Sequence, residues 1–188
     1  MHHLKYDKPI ALIYNPNSGT KNNIRPTIAK RLTMEGIDHE FIATQKEFDT
    51  YLIANTLDLS KYSALIAVGG DGSASEVFGG MLTRKDGLKI PCGYIPNGSG
   101  GLMGLETGIY TVSDALDTIV ARTCTKLGAI ECLSDTEDAT TVPEGLEGFK
   151  IRRFAFIGAN VGTLFARMMG SAGPWKKWLG NAAYGFAM

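Results

Sequence analysis

The run Ala64-Leu65-Ile66-Ala67-Val68-Gly69-Gly70-Asp71-Gly72-Ser73-Ala74-Ser75-Glu76-Val77-Phe78-Gly79-Gly80-Met81 decides how the chain folds. Its first five residues are apolar and short enough for a buried strand. Glycines follow, which permit positive φ and close approach of backbone to a ligand. From Ser73 to Leu82 the pattern is helical, with small side chains at its start. A buried strand, a glycine turn with one carboxylate, then a helix start directs backbone N–H groups at an anion. The helix N-terminus supplies unpaired donors and the positive end of the dipole. Asp71 sits where a lone carboxylate can act as a base or hold a metal. Gly and Asp are also ordinary turn residues, so this stretch alone weighs evenly between an anion site and a tight turn.

Working outward, Ile10 to Tyr14 reads as a first strand, broken by the turn chemistry of Asn15-Pro16-Asn17-Ser18-Gly19-Thr20. Ile24 to Met34 carries Ile24, Ile28 and Leu32 on one helical face and stops at Gly36. Phe41-Ile42-Ala43 is a second strand, and Thr44 is expected to cap a helix running through Glu47 and Leu52. Tyr62 to Val68 is the third strand. Cys92 to Ile95 is the fourth, ended by Pro96 and a second glycine loop, Asn97-Gly98-Ser99-Gly100-Gly101. Ser113 is expected to cap an amphipathic helix with Ala115, Leu116, Ile119 and Val120 on one face.

This alternation of strands and helices predicts an α/β fold, an open and mostly parallel sheet with helices on both faces. Three turns (Asn15–Thr20, Gly69–Ser73, Asn97–Gly101) each follow a strand, so they share the carboxyl edge where such sheets bind ligands. After Arg122 the character changes. Residues 125–133 and 149–157 alternate like strands around an acidic, turn-rich loop from Ser134 to Gly148. The expected organisation is an α/β nucleotide domain over residues 1–122 and the start of a β-rich second domain over 123–188.

Composition narrows the function. Nineteen Lys and Arg balance nineteen Asp and Glu, so no global field recruits nucleic acid. Cys92, Cys124 and Cys132 form no close pair, which disfavours zinc and redox motifs and suits a reducing, cytoplasmic setting. No stretch is apolar and long enough to span a bilayer. A Walker loop needs a Lys after its glycines, which none of these turns has. The dinucleotide fingerprint lacks its third glycine, and Asp71 between the first two would repel a pyrophosphate unless a cation intervened. His39, the one histidine beyond the N-terminal pair, suits a surface or half-buried role better than a triad.

In combination, Asn15-Pro16-x-Ser18-Gly19, then Gly69-Gly70-Asp71-Gly72-Ser73 with Glu76-Val77, then Pro96-x-Gly98-Ser99-Gly100 resembles the catalytic domain of the diacylglycerol kinase and sphingosine kinase family. The resemblance covers about Lys8 to Arg122. It implies an ATP-dependent lipid kinase using Mg2+, with a nucleotide domain followed by a β-sandwich and a cleft between them. It implies that Asn15, Pro16, Ser18 and Gly19 line the nucleotide site. Gly69, Gly70, Gly72, Ser73 and Glu76 would surround the phosphates, and Gly98, Ser99 and Gly100 would close the pocket. Asp71 would be the general base or the carboxylate on the magnesium side. Phosphoryl transfer is mostly positioning and charge neutralisation, and a cation between Asp71 and the phosphates removes the repulsion noted above. Lys177, within Trp175-Lys176-Lys177-Trp178-Leu179-Gly180, matches a basic residue that approaches the ATP phosphates in sphingosine kinases.

Several positions depart from the family pattern. Gly101-Leu102 stand where the family has Asn or Asn-Asp, and Gly79 replaces an Asn in the helix. No Asp or Glu follows Glu147, whereas sphingosine kinases hold a carboxylate for the substrate amine. The second arginine of the basic stretch is Ala183, and the chain ends at Met188, before the resemblance expects the sandwich to finish. The alternative is therefore a degenerate kinase-like module that binds nucleotide weakly or serves a larger assembly. An enzyme like NAD kinase, which shares the Gly-Gly-Asp-Gly turn, is a weaker third option. Trp175, Trp178, Tyr184 and Phe186 make the C-terminal segment a candidate contact for a protein partner or for a membrane surface touched peripherally.

Overall fold

The structure is a computed structural model that describes residues 2–16, 23–46, 48–98, 100–134 and 151–156. These belong to one compact unit, Met1–Phe156; a second, Ile157–Met188, lies outside the described residues. In chain order the elements are β1 (His2–His3), β2 (Ile10–Tyr14), α1 (Arg25–Met34), β3 (His39–Ala43), α2 (Asp49–Thr56), β4 (Ala64–Gly69), α3 (Asp71–Leu82) and β5 (Cys92–Pro96). They continue with α4 (Met103–Thr107), α5 (Val112–Val120), β6 (Thr123–Cys124), β7 (Ile130–Ser134) and β8 (Ile151–Ala155).

Four strands make a parallel sheet in the order β3-β2-β4-β5. This is the predicted α/β layer. The two central strands are covered on both faces, so they read as continuous apolar runs: β4 is buried along its whole length, and β2 as far as Ile13. Alternation along each strand separates the two faces. Ile10, Leu12, Ile66 and Val68 pack with Ile28 and Leu32 of α1 and with Ala115, Leu116 and Ile119 of α5. Ala11, Ile13, Leu65 and Ala67 are equally buried and point the other way. There α3 packs on β4 and β5, and α2 packs on β2 and α3.

The α2–α3 contact is close because Gly80 has no side chain. A Cβ on Gly80 would lie 2.5 Å from the Tyr51 carbonyl oxygen and 2.9 Å from the Ala54 Cβ. Polar groups fix this contact. Asn55 Nδ2 donates to the Gly80 carbonyl and to Thr83 Oγ1, each at 3.1 Å. Arg84 is buried, pairs with Asp86, and donates from Nη1 to the Ala54 carbonyl at 3.0 Å.

Some helix boundaries differ from the sequence reading. Helix α2 starts at Asp49, after Phe48 in the left-handed region (φ 63°), and Thr44 is buried at the sheet edge. Its Asp49 reaches back instead, accepting from the Gln45 and Lys46 amides at 2.8 and 3.0 Å. Helix α5 is capped by Thr111, two residues before Ser113, in a reciprocal box with Asp114. The alternating segments after Arg122 form β7 and β8, paired antiparallel. Strand β6 pairs with β1, so the residues just past the expected boundary at 122 are tied to the N-terminus. Among the described residues no helix is long and apolar enough to cross a membrane.

Gly80→Ala is expected to lower stability by about 1–3 kcal/mol through overpacking against backbone. Urea unfolding would show a lower midpoint with an unchanged slope. Gly72→Ala, whose Cβ would meet nothing within 4 Å, should stay within about 0.5 kcal/mol of wild type.

Candidate functional site

Strand register brings the three turns to one level. Tyr14 of β2 lies opposite Val68 of β4, and Val68 lies opposite Ile95 of β5. Asn15-Pro16, Gly69-Gly70 and Pro96-Asn97 therefore leave the sheet side by side. The chain visits β2, steps out to β3, and returns past β2 to β4. The connections after β2 and β4 then lead to helices on opposite faces, which opens a crevice between their turns. The N-terminus of α1 borders it on one side and the N-terminus of α3 on the other.

The α3 border is a helix start without a side-chain cap. Gly70 is the N-cap residue and supplies no side-chain cap, and the first intrahelical bond runs from the Ala74 amide to the Gly70 carbonyl at 3.2 Å. The amides of Asp71, Gly72 and Ser73 are thus the first-turn donors without an intrahelical acceptor. Gly72 is exposed, with open space where its side chain would project. Glu76 shares the helical face of Gly72 and Ser73 by its spacing of four and three residues.

The second glycine loop is pressed against this turn. The Asn97 amide donates to the Gly69 carbonyl at 2.7 Å. A Cβ on Gly98 would stand 2.5 Å from Gly70 Cα and 3.2 Å from Gly70 N, so only glycine fits. Asp71 then crosses between the turns. Its Oδ2 accepts from the Leu102 amide at 3.2 Å and its Oδ1 from the Met103 amide at 2.9 Å. Helix α4 has no side-chain cap from its own Leu102, so Asp71 caps it from thirty-one residues away. A Cβ on Gly100 would strike Asp71 Oδ2.

Two departures from the family pattern have local causes. Gly101 has φ +70°, in the left-handed region that Gly and Asn both enter readily. Glycine keeps the backbone turn there while removing an amide side chain. Gly79 is buried in the α2–α3 contact, where a Cβ would make an ordinary contact with the Tyr51 ring at 3.8 Å.

Of the residues singled out from sequence, Asn15, Pro16, Gly69, Gly70, Asp71, Gly72, Ser73, Glu76, Gly98 and Gly100 lie on these three turns and the first turns of α3. Ser18, Gly19, Ser99 and Lys177 lie outside the described residues. Sequence reading passes over Arg25, the first residue of α1. Its Nη1 donates to the Tyr14 hydroxyl at 2.7 Å, its Nε to Asn23 Oδ1 at 3.3 Å, and its guanidinium carbon lies 4.6 Å from the Tyr14 ring centre. A separate apolar concavity of about 710 Å³ runs along the free side of β5, lined by Tyr6, Ile66, Phe78, Tyr94, Ile109 and Phe156 among others. Among the described residues no cluster of three metal-ligating side chains occurs.

Comparison with known proteins agrees with this architecture. The diacylglycerol kinase catalytic domain profile matches residues 9–132. "Sphingoid long-chain bases kinase 1" of Arabidopsis thaliana is 34% identical over 117 residues, covering 58% of this chain and 15% of that protein. A "Diacylglycerol kinase" of Staphylococcus aureus is 33% identical over 123 residues, covering 64% of this chain and 38% of that protein. The crystal structure of a diacylglycerol kinase from Bacillus anthracis superposes with TM-score 0.55 at 21% identity, covering 66% of this chain and 44% of that one. The chain thus spans less than half the length of these relatives.

Asp71→Ala removes the acceptor for two amides at once. Hydrogen exchange at Leu102 and Met103 should speed up at least about tenfold, the scale of one lost charge-assisted hydrogen bond. Unchanged protection at both amides would show that the cap is not what orders α4.

Proposed function

The chain belongs to the diacylglycerol kinase catalytic domain family, and from that premise we propose that it forms the ATP-binding half of a lipid kinase site. The reaction is transfer of the γ-phosphate to a lipid hydroxyl, on a sphingoid base or a diacylglycerol. One observation carries the nucleotide assignment: the N-terminus of α3, without a side-chain cap, opens at the topological switch beside two further turns. Three adjacent first-turn amides match the oxygens of a phosphate, and the helix dipole favours its charge. Gly70 and Gly98 let backbone approach the ligand without side chains between them.

Asp71 works here as a fixed carboxylate. Each oxygen already accepts one amide, which leaves about two of its four lone-pair positions. That suits a share in holding a cation carried by the nucleotide better than a swing towards a substrate hydroxyl. A single carboxylate completed by substrate phosphates is a coordination magnesium commonly takes, and Asp71 is the residue that would hold it. When bound, Mg2+ supplies charge neutralisation across the phosphates. Asn15 and Pro16 border the same crevice from the β2 side.

The engaged carboxylate also favours a second reading. A module that binds nucleotide without transferring phosphate would keep this tethered Asp71 and the glycine turns. Phosphate transfer from radiolabelled ATP to sphingosine or diacylglycerol separates the two readings and identifies the lipid.

Titration calorimetry with ATP and Mg2+ tests the site itself. Wild type should bind, Gly72→Arg should abolish binding by filling the open side of the turn, and Asp71→Asn should weaken it. No heat from the wild type would overturn the nucleotide assignment.

A further inference from the structure

We propose that Arg25 is a phosphate-binding residue of the crevice, facing the α3 turn from the α1 side; this rests on the nucleotide reading above. Its place is fixed by the fold. Tyr14 ends β2 in the row that runs through Val68 of β4, one residue before Gly69. The Arg25 guanidinium lies over the Tyr14 ring. It therefore stands at the carboxyl end of β2, the edge from which the crevice opens, over a Tyr14 ring that packs edge-on against Phe41 of β3. Helix α1 covers one face of the sheet and α3 the other, so a ligand in the crevice meets both helix starts.

The residue is locally costly without a ligand. A cation in the first turn of a helix opposes the positive end of the dipole, and anions are what stabilise that end. Helix α1 has no acidic residue in its first turn to compensate. The guanidinium is always charged, and here it is half-buried. Among the described residues its contacts are neutral: the Tyr14 hydroxyl, the Tyr14 ring and Asn23 Oδ1. None of the four ion pairs among the described residues includes it; their cations are Arg31, Lys61 and Arg84.

The side chain is also held in place. Asn23 Oδ1 accepts from both the Arg25 amide and its Nε, and the Tyr14 hydroxyl accepts from Nη1. Nη2 makes none of these bonds, so the outer end of the planar fork keeps donors to present. Bidentate donation of this kind suits a phosphate better than a point charge does. Arg25 would thus complete the phosphate site with a side-chain charge, where α3 contributes only amides.

The test uses the full 188-residue chain, with ATP and adenosine as probes and displacement of a fluorescent ATP analogue as the readout. Arg25→Gln should weaken ATP by about tenfold or more, the scale of a lost charge-assisted hydrogen bond. It should leave adenosine, which has no phosphate, within about twofold. Its ATP affinity should also fall less steeply with added salt, because one charge contact is gone. Arg25→Lys keeps the charge and should recover part of the ATP affinity, which also serves if the Gln variant is poorly folded. Unaltered ATP affinity in Arg25→Gln, or equal loss of ATP and adenosine, would overturn the proposal while leaving the nucleotide site standing. A wild type that binds neither probe would overturn both.

Discussion

The contact that the site depends on is backbone against backbone, where Gly98 rests on Gly70 at the carboxyl ends of β5 and β4. Gly98 cannot carry a side chain without driving the loops apart, since its Cβ would stand 2.5 Å from Gly70 Cα. Because they touch, Asp71 comes within reach of the Leu102 and Met103 amides and caps α4 from the neighbouring turn. The described residues of the two loops are thereby tied together by the Asp71 hydrogen bonds and the Asn97–Gly69 backbone bond. The first turn of α3 then keeps amides with no intrahelical acceptor and, among the described residues, no side-chain cap. A rigid set of donors around a vacant helix end suits a ligand whose charge must be held still during phosphoryl transfer.

The sheet supplies the other constraint. Strand order β3-β2-β4-β5 makes the turns after β2 and β4 diverge. That divergence turns three adjacent loops into a crevice and gives it two unlike walls. One wall is the glycine turn of α3. The other carries Arg25, steadied by Tyr14 and Asn23. The buried α2–α3 contact through Gly80 sits behind the first wall and keeps α3 from shifting along the sheet. The Bacillus anthracis structure shares the fold, yet the chain spans less than half the length of these relatives, so the lipid side of the reaction stands as a proposal.

Much of this was legible from sequence because the signals are local. β2, β4 and β5 are short apolar runs ended by glycine or proline, and their shared edge follows from alternation with helices. Where the governing contact is distant, sequence is silent. Helix α4 has only five residues and an N-cap thirty-one positions away. Helix α2 begins after a left-handed Phe48 and is tied down by Asp49 reaching backwards, so Thr44 misleads, and Glu47 lies outside the described residues. Against the family pattern, Gly79 and Gly101 look like lost functional side chains. In three dimensions one faces the Tyr51 ring and the other fills a left-handed turn. Arg25 belongs to no motif, and only the fold shows that it lies over Tyr14 at the carboxyl end of β2.

The central claim is that phosphates sit on the α3 turn, and amide chemical-shift mapping locates a ligand directly. With ATP and Mg2+ added to isotope-labelled protein, the account predicts the largest shifts at Gly70, Asp71, Gly72 and Ser73, with Gly98, Leu102 and Met103 following through the Asp71 link. Shifts confined to residues along the apolar concavity beside β5, such as Phe78 and Ile109, with the α3 turn unmoved, would contradict it.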